Sequence, residues 1–591
     1  MRDRREISGA DRAHGVPHRL GQQAHLVLHR VARRRWGLRT RLGVRLPVGL
    51  VARLRRLVAS TASDHQEHES RARDQHGDQH DAPRRVPRRG RLSRRAAPRS
   101  ACVIPPGVPR RDWGYVPRVV RPLFRWILFW RRLSPPTVFL LSFVLLILFG
   151  AAVLVMTPGL EHDEALSPID ALFTTASAVT VTGLTVVDTA THFTVPGQLW
   201  LLVCIQLGGI GLITVTTMLI GALGKRLSLR SEMLGMLPVR RHDRPEVWQV
   251  AIGVAKFSLV IELVGALVLF LLWLPHFPVG EAAWHAVFHS VSAYCNAGFT
   301  TIPGGFAQFQ DAPLTLIVIS LLVVLGGLGY LTFEELIRWW RSGHATRTGA
   351  RIRFQGARRL SSHTYAVVVT SVALLVGGWI LFALFEWTDT LGKLSTIDKI
   401  TNAWFMSVMP RSGGFNTIDY AQIGNDSATL TMLLMFVGGS PGSMAGGIKT
   451  TTLAVIIALG MSRFRGQRFV EIKDRAIPQG TIERTIGVVL LFIAVLIVSF
   501  FVLGAIQGAG LDAIEARGLF LPIAFETLSA FTTTGLTMGS TTDLATPSKL
   551  VLVVLMFIGR VGLFSFFAAV ILRRSQPPAF VRSAQEDVIV G

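Results

Sequence analysis

Eight apolar runs alternate along this chain with shorter, half-polar segments. The first, residues 136–156, is about 20 residues without a charge, enough for a helix to cross roughly 30 Å of hydrocarbon. Further runs over 200–223, 249–274, 313–339, 365–385, 429–461, 486–506 and 549–572 predict seven more spans. Between the members of each successive pair lies a stretch too short to span, ending in small and hydroxyl residues around a glycine. Such stretches read as re-entrant loops, and non-helical backbone is tolerated at membrane depth only where protein or a watery cavity surrounds it. The pattern predicts an all-α polytopic membrane protein of four helix–pore loop–helix repeats, whose four loops share a central pathway.

Composition agrees, with half the residues hydrophobic and a mean hydropathy of +0.43. The formal net charge of +25 looks like a nucleic-acid signal until it is located: residues 1–112 hold 27 Arg against 10 Asp plus Glu, which places +17 outside the apolar body. That leading stretch has no Lys and no apolar run able to span or to serve as a signal, and it reads as disordered. Two origins stand open: translated upstream sequence, with the true start near Val108 or Val116, or a basic arm touching anionic lipid or nucleic acid. The expected divisions are an extension over 1–115, repeats over 116–247, 248–361, 362–484 and 485–575, and a cytoplasmic tail over 576–591. Cys102, Cys204 and Cys295 are widely separated and imply neither disulfides nor a zinc site.

Basic residues cluster in the connections at 225–244, 341–359 and 463–475, while 157–196 and 275–311 contain no Lys or Arg. The positive-inside tendency then puts the re-entrant loops outside and both termini in the cytoplasm.

The re-entrant segments align on a shared Ala-x-Phe pattern, from Ala171, Ala286 and Ala403, with Ile523-Ala-Phe525 as the fourth copy. Each reaches a glycine followed by Leu or Phe: Gly183, Gly298, Gly414 and Gly535, separated by 115, 116 and 121 residues. So regular a period argues for duplication of one unit. Before these glycines stand Thr180, Val181 and Thr182; Cys295, Asn296 and Ala297; Arg411, Ser412 and Gly413; and Thr532, Thr533 and Thr534. The third copy is one residue shorter between its Phe and its glycine. K⁺ sheds water only where oxygens replace it, rings of backbone carbonyls do this, and glycine lets the backbone take the required shape. The preceding half-helices aim their negative C-terminal ends at the cavity, which favours a cation.

As a set, Thr180 to Leu184, Asn296 to Phe299, Pro410 to Thr417 and Thr533 to Leu536 resemble the filter loops of the Trk/Ktr/HKT superfamily of cation transporters, and the chain looks most like its Ktr type. The resemblance covers about residues 136–572. It implies four repeats in pseudo-fourfold arrangement around one pore per subunit, a homodimer in a bacterial cell membrane, and a cytosolic nucleotide-binding regulatory subunit as partner. In that family filter glycine goes with K⁺ preference and serine in the first loop with Na⁺ permeation; all four positions here are glycine.

Each second helix carries a glycine cluster 24 to 28 residues after the loop glycine, beginning at Gly208, Gly326, Gly438 and Gly559. In the third, Gly438, Gly439, Ser440, Pro441, Gly442, Ser443, Gly446 and Gly447 would make an unbroken helix poorly stable, so a break lining the cavity is expected. The Ktr type has an intramembrane gating loop here. A phosphate-binding loop is excluded, because Ile448 separates Gly447 from Lys449 and apolar spans flank the segment.

Arg560, the one charge in the interior of the final span, costs about 2.5–3.5 kcal/mol to bury unless it is paired or faces water. It reads as an electrostatic barrier below the filter, consistent with the arginine the family carries there, or as half of an ion pair with Glu262 or Glu386. His285, His289 and Glu526 read as packing or hydrogen bonding behind the filter. No nucleophile constellation appears, so the chain reads as a channel-like K⁺ transporter and not an enzyme, with K⁺ as its transported ion and no cofactor, contacting membrane lipid and no nucleic acid. The competing readings are a Na⁺-permeable or Na⁺-coupled cation transporter and, from a different class, a secondary solute carrier, although carriers built on broken helices usually show inverted halves.

Overall fold

The computed structural model describes residues 135–162, 165–211, 247–347 and 360–562. The expected extension over 1–115, the tail over 576–591 and the basic connections at 225–244 and 348–359 lie outside these residues.

The described chain is helical, with only isolated β-bridges. Its main helices fall into four consecutive groups. The first is α1 (Pro135–Met156), the half-helix α2 (Pro168–Thr180) and α3 (Val195–Gly211). The second is α4 (Val247–Trp273), the half-helix α5 (Val279–Cys295), α6 (Pro313–Leu328) and α7 (Tyr330–Arg347). The third is α8 (Ser362–Glu386), the half-helix α9 (Thr396–Val408), α10 (Asn425–Phe436) and α11 (Thr450–Phe464). The fourth is α12 (Gln479–Gln507), the half-helix α13 (Phe520–Thr532) and α14 (Thr546–Val561).

Burial runs inside out relative to a soluble domain. Apolar side chains on the long helices are exposed, as Leu263 at 68% on α4 and Phe501 at 68% on α12, and such continuous apolar faces suit hydrocarbon. The half-helices are enclosed instead: Phe173, Phe288, Phe405 and Phe525, from the shared Ala-x-Phe pattern, are all buried. Within each group the first helix packs on the half-helix, as α1 on α2, α4 on α5 and α8 on α9. Second helices also reach the following group, α6 packing on α9, α10 on α13 and α14 on α2. Between the first two groups Trp284 Nε1 donates to Gln198 Oε1 at 2.7 Å.

Local sequence sets the half-helix starts. Ser167 caps α2 by accepting from the Asp170 N–H, with Pro168 in the first turn, and Ser395 caps α9 by accepting from the Asp398 N–H.

Among the described residues α4, α8 and α12 are long and apolar enough to cross a membrane, and α6 with α7 makes a fourth if the bent pair is one span. That bend corrects the continuous helix expected over 313–339: the axis turns by 100° at Gly329. Gly329 adopts φ 81 and ψ 139, which only glycine takes readily, and the i→i−4 ladder cannot pass through it. Gly562, at the same place in its cluster, ends α14 with φ 83 and ψ 133. The remainders of the expected spans over 200–223 and 549–572 lie outside the described residues. In the third group the chain leaves α-helical geometry between α10 and α11.

Candidate functional site

All four half-helices lead into the same backbone turn. Two residues before each repeat glycine the backbone turns left-handed, at Val181 (φ 55), Asn296 (φ 61), Ser412 (φ 82) and Thr533 (φ 51). The glycines follow with φ 96 at Gly183, 72 at Gly298, 77 at Gly414 and 86 at Gly535. A β-branched Val or Thr at positive φ is strained and persists only where its surroundings hold it. In the first loop the holding bonds are Thr182 N to Ser177 O at 2.8 Å and Gly183 N to Ser177 Oγ at 3.1 Å. The fourth loop repeats them, Thr534 N to Ser529 O at 2.9 Å and Gly535 N to Ser529 Oγ at 3.1 Å. In both, paired threonine hydroxyls bond each other at 2.7 Å, Thr180 with Thr182 and Thr532 with Thr534.

The second loop keeps the backbone bond, Ala297 N to Ser292 O at 2.7 Å, but Ser292 Oγ donates to the Phe299 carbonyl. The shorter third loop replaces the last helical turn with a 3-10 turn over Met409–Arg411, and Gly413 N donates to Met409 O at 2.7 Å.

The four glycines meet. A Cβ built on Gly183 would lie 2.5 Å from the Ala297 carbonyl oxygen and 3.1 Å from Gly298 Cα; one on Gly298, 2.9 Å from Gly414 Cα. A Cβ on Gly414 would sit 2.8 Å from the Thr534 carbonyl oxygen, and one on Gly535 2.1 Å from Thr182 O and 2.9 Å from Gly183 Cα. Each glycine therefore faces its neighbour's main chain, in the order first, second, third, fourth and back to first, with no room for a side chain.

The clusters on the second helices support these loops by close approach. A Cβ on Gly208, Gly326 or Gly559 would lie 1.9 to 2.0 Å from the carbonyl oxygen of Val179, Tyr294 or Phe531, in the last turn of a half-helix. Gly438 breaks the pattern: its nearest atom is the Gly446 carbonyl oxygen, at 2.0 Å from such a Cβ.

Residues 437–449 cross toward the other groups. Ser440 N donates to Gly327 O at 3.0 Å, Met444 N to Gly326 O at 3.1 Å and Thr450 N to Gly439 O at 3.1 Å. Pro441 lies against Gly329, Gly442 (φ 76) and Gly447 (φ 66) make the turns, and Ser443 Oγ donates to Ser440 O at 2.7 Å. Lys449 Nζ turns back to the Ala445 carbonyl at 2.7 Å. The Met444 sulfur would lie 3.2 Å from a Cβ on Gly209 of α3, and Arg560 Nη1 on α14 donates to the Met444 carbonyl. Met444 is fully buried.

Arg560 is 3% exposed, and its Nε and Nη2 lack hydrogen-bond partners among the described residues. The ion pairs found there are Arg338–Glu334 and Lys549–Asp170, so Arg560 pairs with neither Glu262 nor Glu386. Glu262 instead accepts from Gln206 Nε2 at 2.9 Å, beside Cys295, and Glu386 accepts from the Gly424 N–H and the Thr390 hydroxyl. Behind the loops His285 meets Thr301 Oγ1 at 2.7 Å, His289 meets Thr300 Oγ1 at 2.9 Å, and Glu526 accepts from Thr537 and Thr541. Sequence reading did not assign the latching serines Ser177 and Ser529, although a serine recurs six residues before the glycine in three of the four copies. The Arg411 side chain is directed away from the glycines, to the Ser371 and Gly438 carbonyls.

The TrkH family, described as a cation transport protein, matches residues 135–579. The chain is 32% identical over 462 residues to the potassium/sodium uptake protein NtpJ of Enterococcus hirae, covering 78% of this chain and 98% of that one. It is 35% identical over 443 residues to the Ktr system potassium uptake protein B of Bacillus subtilis, covering 74% and 93%. Its fold is similar to the crystal structure of the potassium transporter TrkH from Vibrio parahaemolyticus, with a TM-score of 0.57 at 20% identity over 76% of this chain and 87% of that one.

Proposed function

The chain belongs to the TrkH family of cation transport proteins, and from that premise we propose that it takes up K⁺ by channel-like conduction through a filter built from its four glycine loops. The observation that carries this reading is the meeting of Gly183, Gly298, Gly414 and Gly535 main chain to main chain. In the proposed mechanism the four helix–loop–helix groups surround one pathway. Backbone oxygens of residues 180–183, 295–298, 411–414 and 532–535 replace the ion's hydration shell, and the half-helix C-termini add negative potential.

Below the filter, residues 438–447 and Arg560 form the gate. The loop fills the space under the glycines, and the guanidinium, bonded to Met444 and with its Nε and Nη2 unpartnered among the described residues, repels a descending cation until the loop withdraws. Names among the relatives support the ion and the assembly: an NtpJ protein called potassium/sodium uptake, and Ktr system proteins whose title implies more than one component. We extend this to a homodimer in a bacterial cell membrane, both termini cytoplasmic, with a cytosolic nucleotide-binding partner.

Rb⁺ and Na⁺ flux into proteoliposomes tests the reading. Gly183→Ser and Gly298→Ser should each lower the preference for Rb⁺ over Na⁺ by tenfold or more; unchanged preference in both would overturn the filter assignment.

A further inference from the structure

Two adjacent residues of the third loop hold the 438–447 segment at both ends. Arg411 Nη2 donates to the Gly438 carbonyl at 3.1 Å, where the segment begins, while Nη1 donates to the Ser371 carbonyl of α8 at 3.3 Å. Ser412 Oγ accepts from the Gly446 N–H at 3.2 Å, near the other end, and donates to the Thr533 carbonyl at 2.8 Å. A serine hydroxyl has one proton, so these two bonds form a directed relay from Gly446 N–H through Ser412 to Thr533. Thr533 is the left-handed residue that aims Thr534 and Gly535. The approach is close: a Cβ on Gly446 would lie 2.3 Å from the Thr532 carbonyl oxygen.

We propose that Arg411 and Ser412 are positioning residues that couple the segment to the glycine loops, so that ion occupancy above and withdrawal below share one free energy. This rests on reading the glycine loops as filter and 438–447 as gate. When the segment withdraws, the Gly446–Ser412 bond breaks and the serine hydroxyl is freed from its fixed aim at Thr533. Coupling of this kind is reciprocal: K⁺ in the loops changes how readily the segment leaves, by the same factor that withdrawal changes K⁺ affinity. One hydrogen bond sets the scale at about two- to tenfold.

The test uses the full chain in liposomes. Ser443→Cys, at a position buried in this structure, reports withdrawal through its rate of modification by a water-soluble thiol reagent, read by mass spectrometry on the peptide carrying residue 443. Replacing Na⁺ by K⁺ at constant ionic strength is expected to change that rate about two- to tenfold. Adding Ser412→Ala should erase the K⁺ dependence. Ser412→Thr should keep it, since Val181 and Thr533 show that β-branched residues fit this backbone position. Arg411→Lys, which keeps the charge but loses the fork, should weaken it. A Ser412→Ala chain that responds to K⁺ like its parent, or a parent that does not respond, overturns the coupling. Flux selectivity of Gly183→Ser and Gly298→Ser, measured alongside, separates the causes: if either shifts while Ser412→Ala stays coupled, only the coupling falls; if neither shifts, the filter reading falls and takes the coupling with it.

Discussion

The first and fourth loops are near copies, while the third reaches the same backbone shape by other means. In the first and fourth a serine in the half-helix latches the glycine N–H, and two threonine hydroxyls bond each other. The third has Val408 six residues before its glycine, uses the Met409 carbonyl in place of the serine's as acceptor for the Gly413 N–H, and adds a 3-10 turn and a serine and an arginine whose side chains serve the neighbouring segment. Backbone geometry is thus kept in all four loops, whereas side-chain bonding is free to diverge. Divergence gathers beside the interrupted helix.

Several substitutions would break or sharpen this contrast. The largest effect is expected at a glycine shared by both kinds of loop. Gly535→Ala puts a Cβ 2.1 Å from the Thr182 carbonyl oxygen at φ 86, and the clash with the unfavourable φ should cost several kcal/mol and lower K⁺ flux by about a hundredfold. Flux in the normal range for that variant would show the loops to be more yielding than their packing implies. Next, Ser529→Ala removes the latch of the fourth loop at about 1–2 kcal/mol, and Rb⁺ over Na⁺ preference should fall about five- to tenfold. Val408→Ala, six residues before the third glycine, where an apolar side chain latches nothing, should leave preference unchanged; equal effects at both sites would erase the contrast.

Arg560→Gln removes the charge that contacts the segment, and initial uptake should rise about two- to fivefold, by an electrostatic barrier of roughly 0.5–1 kcal/mol at a partly wet cavity. A drop instead would mean that the arginine only braces the Met444 carbonyl. The smallest effect is at the far end of α2, away from the glycines, where Lys549 of α14 donates to Asp170 at 2.7 Å and Ser167 donates as well. Burial pushes the Asp170 carboxyl up, but the hydrogen bonds from Lys549 and Ser167, with the lysine charge, outweigh it and hold it below its ordinary value. Its contribution to stability is therefore complete above the ordinary aspartate range and lost as pH falls through the lowered value. Lys549→Ala should cost about 0.5 kcal/mol and shift the thermal unfolding midpoint by about 1 °C at neutral pH, with no difference in strong acid.

How much of this was legible depended on repetition. Gly183, Gly298, Gly414 and Gly535 stood out because one spacing recurs, and the interrupted helix stood out because prolines and glycines in a helix interior weaken it. Gly329 was misread because hydropathy reports length and not direction: residues 313–333 are uncharged and carry the run past the glycine, with Glu334, Glu335 and Arg338 only beyond it, while the axis turns away at Gly329. Arg411 and Ser412 were placed in a loop by their spacing, yet their bonds join residues 27 to 121 positions apart, beyond any local pattern. Glu262 was visible as a possible partner for Arg560, but the partner it has, Gln206, is a neutral residue on another helix, and nothing in its own surroundings along the chain names it.

The corner at Gly329 has a counterpart in the third group. A helix ending at Leu328 leaves the carbonyls of its last turn without partners, Gly326 and Gly327 among them. Those two oxygens receive the N–H groups of Met444 and Ser440, donors that the interruption after α10 has itself left outside a helix. Two defects far apart in sequence thus heal one another, and mending either by straightening it would leave the other's polar groups without partners.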